Sequence, residues 1–390
     1  MGIGSGAVEG VGVTAPTARA YEDLFADAYR DKRVLVTGHN GFVGTWLSVW
    51  LARCGADVTG LSLAAEPGPL APAALREYAR EEIGDVRDAA RVADVLRRVR
   101  PEIVFHLAAQ AFVLPSYVDP VATFDTNVMG TVHVLDAARR VGSVASCVVV
   151  TSDKCYATRD GAHLEADHLG GEDPYSASKG AAELVARAYR ASFFDGGPAL
   201  ATARAGNIVG GGDFAPGRIV PDCVRALDAR APLELRHSEA VRPWQHVLDA
   251  VAGYLVLGAH LGDGSHAAAG AWNFGPDPRS FATVGQLVAL VEASWSELGG
   301  DDLVELRLSG RSCAPERAVL TLDSTKARRR LGWTPRLELT DAVRWTVEWY
   351  YAARRTTGFR AARAIERQID RYLDPDVLAR AGHARAGSRT

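Results

Sequence analysis

The chain has 390 residues, of which 47% are hydrophobic and 23% charged, a balance that supports a sizeable buried core and excludes a polar disordered chain. Lys and Arg number 44 against 47 Asp and Glu, a formal charge of −3, so the sequence carries no basic footprint for a nucleic acid. Five cysteines (Cys54, Cys147, Cys155, Cys223, Cys313) stand apart without a C-x-x-C pair, which argues against a zinc cage or a disulfide framework and for a reducing cytoplasm. No apolar run reaches the roughly 20 residues of a membrane helix, and the first residues lack the basic-then-apolar order of an export signal.

Residues 1–30 are rich in small residues, with a short amphipathic patch around Tyr21 to Tyr29, and read as a loose leader, with folding expected to start near Lys32. From there Arg33 to Thr37 has a buried-strand pattern, Phe42 to Cys54 a helical period and Asp57 to Ser62 a second strand pattern, which together spell β-α-β. Further strands are expected at Ile83 to Asp85, Ile103 to Leu107, Ser146 to Thr151 and Leu200 to Arg204. They alternate with helical periods at Ala89 to Arg98, Pro120 to Val141 and Pro174 to Phe194. Continuous apolar strands between helices predict an α/β fold with a Rossmann-type doubly wound parallel sheet buried on both faces. Beyond Asn207 the alternation stops. Gly210 to Asp213, Pro216, Pro221, Pro232 and Pro243 cut the chain into shorter elements, followed by a helix near Ser280 to Ser296, a strand pair around Val304 to Leu322 and an amphipathic helix from Leu339 to Tyr351. The expected division is a nucleotide-binding domain over 31–206 and a smaller mixed α/β substrate domain over 207–350, with a segment near 241–260 returning to the first. Residues 351–390 form an Arg-rich helical tail, nine Arg against four acidic residues, and read as a solvated surface helix with a frayed end.

The run Thr37-Gly38-His39-Asn40-Gly41-Phe42-Val43-Gly44 leaves a strand and opens a helix. Its glycines permit a tight turn and let a dinucleotide pyrophosphate approach the backbone N–H groups at a positive helix end. The acid that would hold the ribose hydroxyls after the second strand is missing from Gly60-Leu61-Ser62-Leu63; Ser62 can take that role. No Arg or Lys stands nearby to claim a 2′-phosphate, which favours NAD over NADP. In Asp173-Pro174-Tyr175-Ser176-Ala177-Ser178-Lys179, Tyr175 and Lys179 are four apart and share one helix face, where the ammonium can lower the phenol's pKa and make it a base for an alcohol. Alone, Y-x-x-x-K is a common surface pair. Coupled to the glycine turn and to a strand ending in Val150-Thr151-Ser152-Asp153-Lys154, it points to a redox site.

These motifs, with Asp85, His106-Leu107-Ala108-Ala109-Gln110, Asn127 and Gly130-Thr131, resemble the extended short-chain dehydrogenase/reductases. The stretches Thr151 to Tyr156, Ala203 to Asp213, Val241 to His246 and Trp272 to Pro276 resemble the CDP-glucose 4,6-dehydratases in particular, and the likeness spans residues 32 to 351. It implies an enzyme that oxidises sugar C4 with NAD, eliminates water across C5 and C6, and returns the hydride to C6. The resemblance makes Tyr175 the base for the C4 hydroxyl. Lys179 would depress the pKa of that base and hold the nicotinamide ribose. Ser152, in preference to the adjacent Thr151, would bond the C4 oxygen. Asp153 would be the acid for the C6 hydroxyl and Lys154 the base for the C5 proton, which requires burial or neighbours to raise the one pKa and lower the other. The cofactor would rest on Gly38, Asn40, Gly41, Phe42, Val43, Gly44, Ser62, Asp85, Val86, Leu107, Ala108 and Ala109, with Asp85 and Val86 beside the adenine. Gln110, Ser152, Asn207, Arg218 and Arg242 would hold the nucleotide sugar, and a homodimer would pack through the helices near Asp125 to Arg140 and Tyr175 to Tyr189. Two residues depart from the family pattern: Val43 stands where a Lys is usual and Leu114 where an Arg is usual. A nucleotide-sugar 4-epimerase, a dehydratase for another nucleotide sugar and a catalytically idle NAD-binding scaffold are the competing readings.

Overall fold

The computed structural model describes the chain except residues 1–17, 65–74, 195, 236, 263–265, 301–305, 309–319 and 376–390. Its centre is a seven-stranded, all-parallel sheet built from β1 (Arg33–Thr37), β2 (Asp57–Ser62), β3 (Arg80–Ile83), β4 (Ile103–His106), β5 (Ser146–Val150), β6 (Ala199–Arg204) and β7 (Gly270–Asn273), in the order β7-β6-β5-β4-β1-β2-β3. The uninterrupted apolar runs Val34-Leu35-Val36 and Val104-Phe105 are completely buried, because helices cover both faces of the sheet. The strand order reverses between β1 and β4, which opens a crevice at their carboxyl ends, the place where open α/β sheets bind ligands. Thr37 and His106 face each other across that point in register, Thr37 Oγ1 lying 2.7 Å from His106 Nδ1.

Two expectations are corrected. The leader contains a helix, α1 (Ala18–Tyr29), whose Tyr21, Phe25 and Tyr29 are buried in the main core, so folded structure begins well before Lys32. The amphipathic patch in the sequence was its signature. After α2 (Phe42–Arg53), which carries Trp46 and Trp50 into the same core, Phe25 meets Trp50 edge to face with ring centroids 5.7 Å apart. The tail is also built in. A helix at Ala361–Leu373 buries Ile365, Ile369 and Tyr372 against α2 and α1, and Tyr372 packs edge to face on Trp50; its Arg residues occupy the outer side of an otherwise apolar helix. In the stretch Val304 to Leu322, where a strand pair is expected, Leu306–Leu308 is a strand paired parallel to Leu233–Leu235; most of the remainder lies outside the described residues.

The helix Val247–Leu261 is apolar almost all round and lies buried against β5 and β6. Asp249 in its first turn accepts hydrogen bonds from the backbone N–H groups of Arg336 and Leu337 and from the Tyr372 hydroxyl, at 2.7, 3.3 and 2.7 Å. Burial pushes that carboxyl up to about 6. This buried anchor ties the end of the chain to the sheet.

Candidate active site

The carboxyl end of β5 runs through Thr151 and Ser152 into a short 3-10 turn, Asp153–Cys155. Ser152 is extended and caps the turn, its Oγ accepting from the Lys154 backbone N–H at 3.2 Å. Opposite stands the 20-residue helix Pro174–Phe193, started by Pro174 at its first position and by the Asp173 carboxylate, which accepts from the Ser176 N–H at 2.9 Å. Ser116 Oγ accepts from the Tyr175 N–H at 3.2 Å, so the short helix Val113–Val118 also seats the first turn.

This geometry brings Ser152, Asp153, Tyr175, Lys179, Asn207 and Arg218 together. Ser152 is the polar neighbour that lowers the Tyr175 phenol. Ser152 Oγ donates to Asp153 Oδ1 at 2.9 Å, and Asn207 Nδ2 donates to Asp153 Oδ2 at 3.3 Å. The carboxylate is wedged over Gly206, where an added Cβ would stand 2.0 Å from Asp153 Oδ2, so only glycine lets it lie there. Asn207 itself adopts a left-handed backbone, φ 50°. Thr151 turns away from Tyr175 and donates to Glu183. Ser152 is therefore the hydroxyl in contact with the phenol.

The expected lowering of the phenol by Lys179 is not what the structure shows. Burial pushes Tyr175 up to about 12; the Ser152 hydrogen bond and the Arg218 charge pull it down, while Asp153 and Asp173 push it up. Lys179 is itself buried, which lowers its ammonium to about 8 against the raising influence of Glu183. Its Nζ donates to the Val150 carbonyl at 3.4 Å. Arg218 is held by Asp213 at 2.9 Å and lies over the Phe112 ring, 5.0 Å from its centroid. Arg242 is buried on the strand Val241–Pro243 and donates to the Val241 carbonyl. Lys154 is half-buried beside the turn. Gln110 spends its amide on the loop, donating to the Phe112 carbonyl at 2.9 Å and to Thr123 Oγ1 at 3.0 Å and accepting from the Phe112 N–H. Asn127 does the same from a π-helical segment, Asp125–Met129, accepting from the Gln110 N–H and donating to Ser178 Oγ. Leu114, one of the two departures, is exposed; Val43, the other, packs its partly buried side chain against the core.

The glycine turn fits a dinucleotide. Gly38 has φ 74°, and a Cβ there would lie 2.8 Å from the Ala108 N; at Gly44 it would lie 2.0 Å from the Gly38 carbonyl oxygen. The turn thus presses β1 against the Leu107-Ala108-Ala109 end of β4. It delivers the N-terminus of α2 with no side-chain cap, leaving its first N–H groups to bind an anion. Asn40 donates to the Leu63 carbonyl at 2.8 Å and pins the turn over β2. The adenosine side is less open than expected. Ser62 Oγ lies 2.8 Å from Nδ1 of a buried His39, which desolvation keeps neutral by lowering it to about 4. The Asp85 carboxylate is held by the Arg87 guanidinium and N–H, which keeps it below the usual carboxylate range. Val86 is buried under Gly130, where a Cβ would meet it at 2.8 Å.

Sequence reasoning missed His39, Ser116, Glu183 and Arg204. Only Glu183 left a readable signal: it continues the four-residue ladder Tyr175, Lys179, Glu183 along one helix face.

A parallel sheet in this order, a glycine turn at its switch point and a Ser-Tyr-Lys group beyond β5 define an extended short-chain dehydrogenase/reductase. Residues 35–346 match the GDP-mannose 4,6 dehydratase family. The chain is 42% identical over 334 residues to the CDP-glucose 4,6-dehydratase of Salmonella typhimurium (strain LT2), covering 83% of this chain and 92% of that one. Among solved structures it is similar to DesIV, the dTDP-glucose 4,6-dehydratase of Streptomyces venezuelae with NAD and TYD bound (TM-score 0.68, 29% identity, covering 82% of this chain and 97% of that one). It is also similar to the epimerase Mth375 of Methanothermobacter thermautotrophicus (TM-score 0.75, 25% identity, covering 85% and 95%). The chain belongs to the GDP-mannose 4,6 dehydratase family.

Proposed function

We propose that this chain is an NAD-dependent nucleotide-sugar 4,6-dehydratase whose substrate is CDP-D-glucose and whose product is CDP-4-keto-6-deoxyglucose. The carrying observation is that Ser152, whose hydroxyl donates to the Asp153 carboxylate at 2.9 Å, is also the polar neighbour that lowers the phenol of Tyr175. A proton acceptor for an alcohol and a proton donor for a leaving group therefore flank one point, the requirement for oxidation coupled to elimination. Gly38, Asn40, Gly41, Phe42, Val43, Gly44 and the β4 end would hold NAD, with Ser62, Asp85 and Val86 on its adenosine side, and the cofactor would supply hydride transfer from C4 and back to C6.

Tyr175 takes the proton of the C4 hydroxyl while Ser152 donates a hydrogen bond to the same oxygen. With the phenol pushed up by burial, the Ser152 hydrogen bond and the Arg218 charge must offset Asp153 and Asp173 for the base to work near neutrality. The C4 ketone acidifies the C5 proton, which Lys154 removes and returns to C5 when the hydride reaches C6; Asp153, which must first take up a proton, passes it to the C6 hydroxyl as that group departs as water. Asn207, Arg218 and Arg242 hold the diphosphate, with Arg218 already restrained by Asp213 and Phe112. The fold is shared with a 4-epimerase, which needs no acid at Asp153, so the wedged carboxylate favours dehydration.

Two wider features belong to the same reading. Tyr117, Val121, Phe124, Met129, Leu184 and Phe193 are exposed on the helical segments between 113 and 193, which supports a homodimer through that surface. Cys54, Cys147, Cys155 and Cys223 are free, which supports a cytoplasmic location. Among the described residues no helix is long and apolar enough to cross a membrane, and no cluster of possible metal ligands occurs.

The test is incubation of purified protein with CDP-, dTDP-, UDP- and GDP-glucose and identification of products by mass. Loss of one water from CDP-glucose, without reduced nicotinamide accumulating in proportion to product, is expected. Product of unchanged mass refutes dehydration, and loss of water only from another nucleotide sugar refutes the cytidine assignment.

A further inference from the structure

Behind the catalytic face of the Pro174–Phe193 helix lies a buried ionic group that the proposed reaction does not use. Glu183 is 3% exposed, one turn beyond Lys179. Its Oε1 accepts from Thr151 Oγ1 at 2.5 Å; its Oε2 accepts from Thr202 Oγ1 at 2.8 Å and from Arg204 Nη2 at 2.6 Å. Arg204, also 3% exposed, further donates to the Tyr156 hydroxyl at 2.7 Å and lies over that ring. The threonines come from β6 and from the residue just after β5, so the carboxylate is fixed by the strands that carry the active site.

We propose that Glu183 is a positioning residue that holds Lys179 in its charged form and that Arg204 and the two threonines exist to hold Glu183. Burying an ammonium disfavours its charged form, and only an opposite charge nearby restores it. The titratable groups that bear on Lys179 come from three elements: Glu183 on its own helix, Cys155 on the turn after β5, and His106 on β4. Burial lowers His106 to about 3 and pushes the Cys155 thiol well above its usual value, so both are neutral. Of these three groups only Glu183 carries a charge opposite to the amine. Burial has lowered Lys179 to about 8 even with Glu183 in place, close enough to neutrality for this support to matter. Keeping a buried pair for a poised ammonium also accounts for a costly arrangement that apolar residues could replace if packing alone were needed.

The structure supplies a chemical test. Glu183 and Arg204 form part of the wall of an open cavity of about 690 Å³, whose other walls carry Arg187, Arg190 and Lys326 together with Glu165 and Asp167. A small carboxylate has an open route, with cations along it, to the place that a shortened Glu183 would vacate.

The proposal rests on Lys179 being the ammonium of the redox site. Lys179→Met tests that reading by itself: a variant that keeps turnover refutes the site, not the role of Glu183. In Glu183→Gln the alkaline limb of kcat, where Lys179 loses its proton, should move down by about one pH unit, roughly a tenfold change in proton affinity. The Lys179 Cε resonance of [13C]lysine-labelled protein, assigned with Lys179→Met, should titrate with the same shift. Removing one partner of a buried pair endangers folding, so Glu183→Gln/Arg204→Met, which removes both charges of the Glu183–Arg204 pair together, is the second variant; it should keep the downward shift, because Glu183 is the charge that raises the amine. In Glu183→Ala, millimolar formate should return the limb toward its wild-type position and leave wild type unchanged. A folded variant whose limb and Cε titration coincide with wild type, or a Glu183→Ala limb that formate does not move, overturns the proposal.

Discussion

Asp153→Asn separates elimination from oxidation. In the native site the carboxylate accepts from Ser152 Oγ at 2.9 Å and from Asn207 Nδ2 at 3.3 Å. An Asn side chain in the same place can keep its oxygen on Asn207 and turn its amide toward Ser152. Ser152 Oγ then accepts from that amide and from the Lys154 N–H, and its own hydrogen is released toward Tyr175 and the C4 oxygen. The network stays satisfied, so the fold should lose only about 1 kcal/mol, the difference between a charged and a neutral acceptor. The hydroxyl that serves the oxidation is retained. What disappears is the proton for the C6 hydroxyl. General acid help is worth about 10²- to 10⁴-fold, roughly 3–5 kcal/mol of barrier, and turnover should fall by that factor. In a single turnover with excess enzyme, reduced nicotinamide absorbance should rise and persist in Asp153→Asn, whereas in wild type it should rise and decay. A transient that decays at the wild-type rate, with dehydrated product formed normally, refutes Asp153 as the acid.

The other predictions are simpler. Tyr175→Phe leaves the ring in place and removes the base, so turnover should fall by about 10²- to 10⁴-fold while NAD still raises the thermal midpoint as in wild type; turnover within tenfold of wild type refutes the assignment. Gly44→Ala would put a Cβ 2.0 Å from the Gly38 carbonyl, so the turn must open and NAD affinity by calorimetry should collapse; unchanged affinity contradicts the cradle. Phe25→Ala should cost about 3–5 kcal/mol in denaturant unfolding, because the ring is 1% exposed against Trp50, whereas a loose leader would lose nothing.

Strand periodicity made the sheet legible because each buried strand announces itself over four to six residues of its own sequence, as Val34-Leu35-Val36 does. The two ends of the chain were misread for a common reason. The α1 helix and the helix Ala361–Leu373 each bury one face only because the other, and α2, stand beside it. An amphipathic helix with charged residues outward has the same sequence pattern whether its apolar face meets a core or a transient surface. The proposed site residues were legible as a constellation because a strand end and a helix start each carry their group in contiguous sequence. Their electrostatics were not. The i, i+4 spacing of Tyr175 and Lys179 led to the expectation of a lowered phenol, but spacing carries no information about burial, and burial dominates here.

That same limit explains which partners escaped notice. Arg204 reaches Glu183 across 21 residues and Tyr156 across 48, and His39 reaches Ser62 across 23; no local pattern encodes such pairs. Their consequence is nonetheless local. A His39 held neutral against Ser62 occupies the hydroxyl expected to bind the ribose, and the Cβ clash that Gly60 avoids, 2.0 Å from the His39 ring, shows that β2 is shaped around this histidine. The missing acid after β2 and the histidine inside the glycine turn are therefore one feature of the chain. Ser62 faces a neutral imidazole that can donate or accept, so it can keep the His39 bond and still offer its second hydrogen-bonding function to a ribose hydroxyl.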